Sequence, residues 1–169
     1  EQEGLSVHVV TDQQIYNEFS SGMRDATALK QFLRMFYVRG SGIPNQIPKY
    51  CVLIGDGTYD NRNILDHGNN LLPVFESQES LSKVNTFATD DFFAILSDGG
   101  SMRNTDLLNI AIGRLTVSTE QEAMDMVQKI IQYQTIDTTN SSLDCNINPS
   151  NGILGDWRNK VILVSDDED

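Results

Sequence analysis

The segment Tyr50–Gly57, which reads YCVLIGDG, is the most informative part of the sequence for the fold. It begins with an uninterrupted apolar run and ends with an aspartate between two glycines. Continuous apolar character predicts a strand that is buried on both faces, as in the centre of a parallel sheet. Glycine and aspartate are typical of the tight turn that follows such a strand. We therefore expect a central parallel strand that ends in a polar turn at Asp56.

Helical and extended patterns alternate on both sides of this strand. Before it, Leu5–Val10 has a β pattern, while Thr11–Phe19 and the segment after Asp25 carry apolar side chains at helical spacing. After it, the sequence predicts strands at Leu71–Phe75, Leu107–Leu115 and Lys160–Ser165, and a helix that begins at Ser118 or Thr119 with a capping-box pattern. This order predicts an α/β fold of three layers, in which helices flank a mostly parallel sheet.

The predicted core joins the apolar faces of two helices to the apolar side chains of the strands. On the helices it consists of Leu29, Phe32, Leu33, Phe36, Val127, Ile130 and Ile131. On the strands it consists of Val52, Ile54, Ile110, Ile112, Ile162 and Val164. The chain stops at Asp166–Asp169, directly after a predicted strand. Because a buried strand needs a covering element, we expect that a longer parent protein continues beyond this point.

The charge balance excludes several classes of function. The chain has 24 acidic and 12 basic residues, a net charge of −12, and 39% apolar residues. Such an acidic protein lacks the basic stripe that nucleic acids or anionic membranes require. No apolar run approaches the roughly 20 residues of a membrane span. Clustered carboxylates suit Ca²⁺ or a basic peptide, although surface acids also serve solubility alone.

Polar residues follow several of the predicted strands. In open α/β sheets, ligands bind at the carboxyl ends of the strands, where parallel strands share one edge. Asp56–Asp60, Arg114 and Asp166–Asp169 would lie there. A strand-end aspartate can also simply cap a turn, and at Asp56 this interpretation stays open. A further alternative is a receiver-like or protein-binding α/β domain that uses Asp56 with a divalent cation and performs no proteolysis.

The cysteines and histidines form no recognisable catalytic or metal-binding pattern. Cys51 and Cys145 set no disulfide framework, and His8 and His67 are isolated. A reactive thiolate needs an exposed, electropositive setting, whereas Cys51 opens a strand that we expect to be buried. We therefore interpret Cys51 as structural.

Five sequence segments, in order along nearly the whole chain, resemble segments of the gingipain-like cysteine peptidases. They are Gln14–Gly22 with Asp25–Ala28, Tyr50–Arg62, Ala88–Phe93, Ile110–Leu115, and Gly155–Asn159 leading to Asp166–Asp169. Within that family, the sequence is similar to the sortases of type IX secretion systems. The resemblance implies a caspase-like fold, with the first α/β subdomain at residues 1–159 and the opening strand of a second, catalytic subdomain at residues 160–169.

The resemblance also implies an activity and a location for the parent protein. It would be a cysteine endopeptidase that removes C-terminal sorting signals from secreted cargo, at the outer membrane or surface of a Gram-negative bacterium. Its partners would be the sorting domains of cargo and other components of the secretion system. No cofactor would be required. Gingipains bind calcium, and the candidate ligands here, chosen by chemistry alone, are Asp56, Asp60, Asp90 and Asp91.

The catalytic histidine of the family lies in a Gly-His-Gly context, and the catalytic cysteine follows it. Neither has a match in this chain, so we expect the chain alone to be inactive. A family glutamate just past the last strand aligns with Glu168, with Asp167 and Asp169 as alternatives. A carboxylate there would orient the histidine and stabilise its cation.

Overall fold

The computed structural model describes residues 4–43, 46–62, 64–65, 70–79, 81–82, 84–102, 106–134 and 161–163. The chain divides into two compact units, residues 1–124 and residues 125–169. The first unit contains all the strands of the described residues and three helices. The predicted boundary between residues 159 and 160 lies outside the described residues.

The first two helices begin where side-chain caps satisfy their free N–H groups. Helix α1 is Asp12–Phe19, and Thr11 forms a reciprocal capping box with Gln14. Helix α2 is Ala26–Gly40, and its N-cap, Asp25, accepts a hydrogen bond from the backbone N–H of Thr27. Both helices pack into one apolar core through the buried side chains Ile15, Tyr16, Ala28, Leu29 and Leu33.

The first unit contains a parallel strand pair. Strand β1 is Tyr50–Ile54, as predicted. It pairs in parallel with β4, Ala111–Leu115, in a register that places Tyr50 opposite Ala111 and Ile54 opposite Leu115. Two short strands, β2 at Phe75–Glu76 and β3 at Ala88–Thr89, form a separate antiparallel pair. The predicted α/β fold class, with a parallel sheet flanked by helices, is confirmed.

The short helix α3, Asp91–Ala94, carries the most deeply buried part of the core. Phe93, Ala94 and Leu96 have no exposed surface. The neighbouring Phe92 ring stacks on Phe75 of β2, with centroids 4.5 Å apart, and the ammonium group of Lys30 lies 4.3 Å from the centroid of the same ring. Stacking and the cation–π contact thus connect α2, α3 and β2.

The structure corrects the prediction that β1 is buried on both faces. Leu53 is buried, but Val52 and Ile54 are 60% and 57% exposed. Successive side chains of a strand point to opposite faces. The core cluster of the described residues includes Leu53 but neither Val52 nor Ile54, so it covers only one face of β1. A continuous apolar run shows that both faces can be buried, and it does not show which surfaces cover them in this chain.

Helix α4, Glu120–Gln134, forms where the sequence predicts a helix. The Thr119 hydroxyl accepts a hydrogen bond from the N–H of Glu122, at 3.2 Å, as the capping pattern predicts. The core prediction is wrong for this helix, because Val127, Ile130 and Ile131 are all exposed. Their spacing defines an apolar stripe, but burial also requires a surface that packs against it.

Several other predicted elements are shorter than expected or absent. Leu5–Val10 is not a strand, and only the last residue of Leu71–Phe75 lies in one. Strand β4 includes only the second half of Leu107–Leu115. Among core candidates, Leu29, Leu33 and Ile110 are buried and Phe32 and Ile112 partly so, whereas Phe36 and Ile162 are exposed. Residues 161–163 form no strand, and Val164 lies outside the described residues.

Candidate functional site

The carboxyl ends of β1 and β4 carry the candidate site. Beyond the strands, the N–H of Gly55 donates to the carbonyl of Leu115 at 3.0 Å, and the N–H of Asp56 donates to that of Val117 at 2.9 Å. The turn that follows β1 therefore lies beside the segment that follows β4. This arrangement brings Asp56 and Arg114, which the sequence placed at one sheet edge, into the same region.

Arg114 is the most connected side chain of this edge, and only 7% of it is exposed. Its Nε and Nη2 donate to the two carboxylate oxygens of Asp90 at 2.8 and 2.7 Å. Its Nη1 donates to the Gly55 carbonyl at 2.9 Å, and Nη2 also donates to the Pro73 carbonyl at 3.1 Å. A longer bond of 3.4 Å joins Nη1 to the carbonyl of Leu72. The planar guanidinium fork allows all these bonds at once.

The glycines of the turn are required by its geometry. Gly55 has a φ of +140°, which side-chain-bearing residues rarely adopt. A Cβ on Gly57 would lie 2.5 Å from the Leu72 carbonyl oxygen and 3.2 Å from Nη1 of Arg114. The backbone of the turn thus lies directly against the guanidinium and the segment that the guanidinium binds.

Asp56 and Asp60 organise local backbone. The Asp56 carboxylate accepts a hydrogen bond from the N–H of Gly57 at 2.9 Å. The backbone carbonyl of Asp56 accepts hydrogen bonds from the N–H groups of Leu71 and Leu72, each at 2.9 Å. The Asp60 carboxylate accepts the N–H of Leu65 at 2.6 Å. Of the interpretations left open for Asp56, turn capping is therefore the one that the described contacts support.

A polar network that the sequence analysis missed adjoins this turn. Buried Asn70 accepts from Arg24 at 2.9 Å and donates to the Asp60 carbonyl at 2.7 Å. Asn61 donates to the Glu76 carboxylate at 2.7 Å. Burial, and then the nearby charge of Asp60, raise the pKa of Glu76. No local pattern signals this network, because its partners lie 10 to 46 residues apart along the chain.

The predicted calcium ligands do not assemble into one group within the described residues. Asp90 binds Arg114 through both carboxylate oxygens. Asp91 is exposed beside it, at the start of α3. In the part of the chain that the structure describes, no three side chains of the His, Cys, Asp or Glu type come together in a possible metal group. The calcium site stays a prediction.

The described thiol is poorly suited to nucleophilic attack. Cys51 is half-buried, and burial, followed by the negative charge of Asp90, raises the pKa of its thiol. A raised pKa keeps the thiol protonated at neutral pH, whereas a nucleophilic cysteine needs the thiolate. His8 is exposed, and a 3.4 Å contact joins it to the Ser6 hydroxyl. Lying outside the described residues are His67, Cys145, Asp167, Glu168 and Asp169.

The opposite, amino ends of β1 and β4 hold an open groove of about 960 Å³. Among the described residues that line the groove, most are apolar and Lys49 is the only charged one. No carboxylate, histidine or cysteine is among the described residues that line the groove. In the described parts of the chain, no helix is both long enough and apolar enough to cross a membrane.

Comparison with known proteins places this α/β fold in a class. The family model of peptidase family C25 matches residues 1–169, and the chain belongs to this family, that of the gingipains. Among solved structures, the chain is similar to dimeric latent PorU from Porphyromonas gingivalis, with a TM-score of 0.68 and 36% identity. The match covers 80% of this chain and 14% of the PorU chain, so this chain spans only a small part of that relative. The caspase-like fold expected from the resemblance is thereby confirmed. A search of curated proteins found no match.

Proposed function

We propose that this chain is the amino-terminal part of a cysteine endopeptidase that removes C-terminal sorting signals from cargo of a type IX secretion system. The parent protein acts at the outer membrane or cell surface of a Gram-negative bacterium, on the sorting domains of its cargo and together with other secretion components. The chain itself does not catalyse; it supports the catalytic part. The observation that carries this proposal is the match to the peptidase family over residues 1–169, joined to 36% identity with PorU.

The described chemistry agrees with a supporting role. The polar edge is filled by hydrogen bonds between Arg114, Asp90 and backbone carbonyls, which leaves the Arg114 side chain almost fully buried. Cys51 is held in its thiol form by burial and by Asp90. Family membership also favours the peptidase over the receiver-like alternative built on Asp56.

The decisive experiment compares the chain with the full-length parent protein. A peptide that carries a C-terminal sorting signal is incubated with each, with and without an irreversible thiol inhibitor. We expect inhibitor-sensitive cleavage by the parent and no cleavage by the chain. Cys51→Ala in the parent is the matched control and should leave cleavage unchanged. Cleavage by the chain alone that disappears with Cys51→Ala would contradict the proposal.

We further propose that Glu168 orients the catalytic histidine, which lies outside this chain. Glu168→Gln in the parent keeps the shape of the side chain and removes its charge. Because the carboxylate acts on the histidine and not on the substrate, the loss should fall on kcat with KM nearly unchanged. Asp167→Asn and Asp169→Asn are the controls. Wild-type kcat in Glu168→Gln together with a loss in either neighbour would assign the role to that neighbour.

Calcium binding through Asp56, Asp60, Asp90 and Asp91 also remains a proposal. A ligand that binds only the folded state raises its melting temperature by mass action. Ca²⁺ should therefore stabilise the chain more than NaCl at matched ionic strength, since salt screening alone makes the two equal. Equal stabilisation by the two salts would remove the specific site.

A further inference from the structure

Arg114 makes more contacts than its ion pair requires. Nε and Nη2 each donate one hydrogen bond to the Asp90 carboxylate. The other three hydrogen bonds of the guanidinium go to the backbone carbonyls of Gly55, Leu72 and Pro73. All three carbonyls belong to residues outside helices and strands. Backbone bonds to Leu115 and Val117 hold the turn after β1, and the guanidinium adds a constraint that joins this turn to Leu72 and Pro73.

The turn and its neighbour are also fixed against each other. The carbonyl of Asp56 accepts from Leu71 and Leu72, and a Cβ on Gly57 would collide with the Leu72 carbonyl at 2.5 Å. Both segments lie at the carboxyl ends of β1 and β4, the edge at which open α/β sheets bind ligands. Arg114 donates to carbonyls of both segments and therefore contributes, with these backbone bonds, to the geometry of this edge.

We propose that Arg114 is a positioning residue of the parent peptidase, which holds the turn Gly55–Gly57 and the segment Leu72–Pro73 as one wall of the cleft that receives the peptide substrate. This inference rests on the proposed function. Arg114 is nearly buried and acts on the substrate only through the backbone that it binds. A small displacement of an element that positions substrate can cost a large factor in kcat/KM.

The first arm of the test uses the 169-residue chain and amide hydrogen exchange, and does not depend on proteolysis. Arg114→Lys keeps the charge but loses the fork. The amides of Gly55, Asp56, Leu71 and Leu72 should exchange at least about tenfold faster, while those of α2 change by less than about threefold. Asp90→Asn also lowers global stability, and it should still accelerate these four amides more than those of α2. Uniform acceleration throughout the chain would mean global destabilisation and would overturn the proposal.

The second arm measures cleavage by the full-length parent, with active enzyme counted by an irreversible thiol inhibitor. Arg114→Lys should raise KM about tenfold and leave kcat within about twofold, because the wall binds substrate and does not react. Arg34→Lys, in the exposed Arg34–Asp98 pair, is the matched control and should change neither. An unchanged KM in Arg114→Lys would overturn the positioning role. A wild-type parent without thiol-dependent cleavage would overturn the proposed function and, with it, the substrate cleft, while the exchange arm still reports whether Arg114 fixes the segments.

Discussion

Arg114 and Asp90 form a two-point ion pair, Nε to Oδ2 at 2.8 Å and Nη2 to Oδ1 at 2.7 Å, between residues 24 positions apart in sequence. The side chains are 7% and 21% exposed. Breaking such a pair leaves a poorly solvated charge without its partner, which typically costs more than the pair itself contributes.

A double-mutant cycle should therefore show strong coupling between these two residues. We expect Arg114→Met to lower the free energy of unfolding by about 3 kcal/mol, and Asp90→Asn by somewhat less. The coupling energy, measured by urea unfolding, should be about 1–3 kcal/mol. The same cycle on the exposed Arg34–Asp98 pair should give about 0.5 kcal/mol or less. Equal coupling in the two cycles would contradict the special role of the Arg114 pair.

Glycine 57 should tolerate no side chain. Gly57→Ala places a Cβ 2.5 Å from the Leu72 carbonyl oxygen and 2.8 Å from a methyl group of Val74. Overpacking of this kind typically costs about 1–3 kcal/mol, and we expect a loss of that size in chemical unfolding. Gly113→Ala, on β4, is the control, because a Cβ there meets nothing within 4 Å. It should be neutral or stabilise by up to about 1 kcal/mol. Similar losses in both variants would show that the turn is not tightly packed.

The two faces of β1 should respond differently to truncation. Leu53→Ala should cost about 2–5 kcal/mol, because Leu53 lies in the buried core. Ile54→Ala should cost about 1 kcal/mol or less, since Ile54 is 57% exposed. Both losses are measured as shifts of the urea midpoint. A large loss in Ile54→Ala would mean that this face is covered in solution.

The bounds of β1 and the position of Asp56 follow from local sequence. An apolar run followed by Gly-Asp-Gly specifies both the strand and its stop, and the parallel pairing of β1 with β4 then places Arg114 at the same edge. The partner of Arg114 could not be predicted in this way. Asp90 contacts Arg114 because the packing of Phe93 into the core fixes the position of the start of α3. That position depends on tertiary packing, which local sequence does not reveal. The exposure of Val52 could not be predicted for the same reason.

The hydroxyl of Tyr16 gives a pH-dependent prediction. Tyr16 is 3% exposed, and its hydroxyl has no hydrogen-bond partner among the described residues. Burial, and then the charge of Asp12, raise the pKa of Tyr16 to about 12 from 10.0. Between these values the unfolded chain loses this proton while the folded chain retains it. High pH therefore favours the unfolded state, and the stability due to this group falls as pH rises through that window.

Tyr16→Phe removes both the hydroxyl and its titration. At pH 7, we expect unfolding stability equal to that of the wild type or up to about 1 kcal/mol higher, because a buried hydroxyl without a partner is lost. Between pH 9 and about 11.5, stability should decline less steeply than in the wild type. Tyr59→Phe, which removes a hydroxyl from a side chain that is 69% exposed, should be neutral at pH 7. A loss above about 1 kcal/mol in Tyr16→Phe at pH 7 would show that the hydroxyl is hydrogen-bonded in solution.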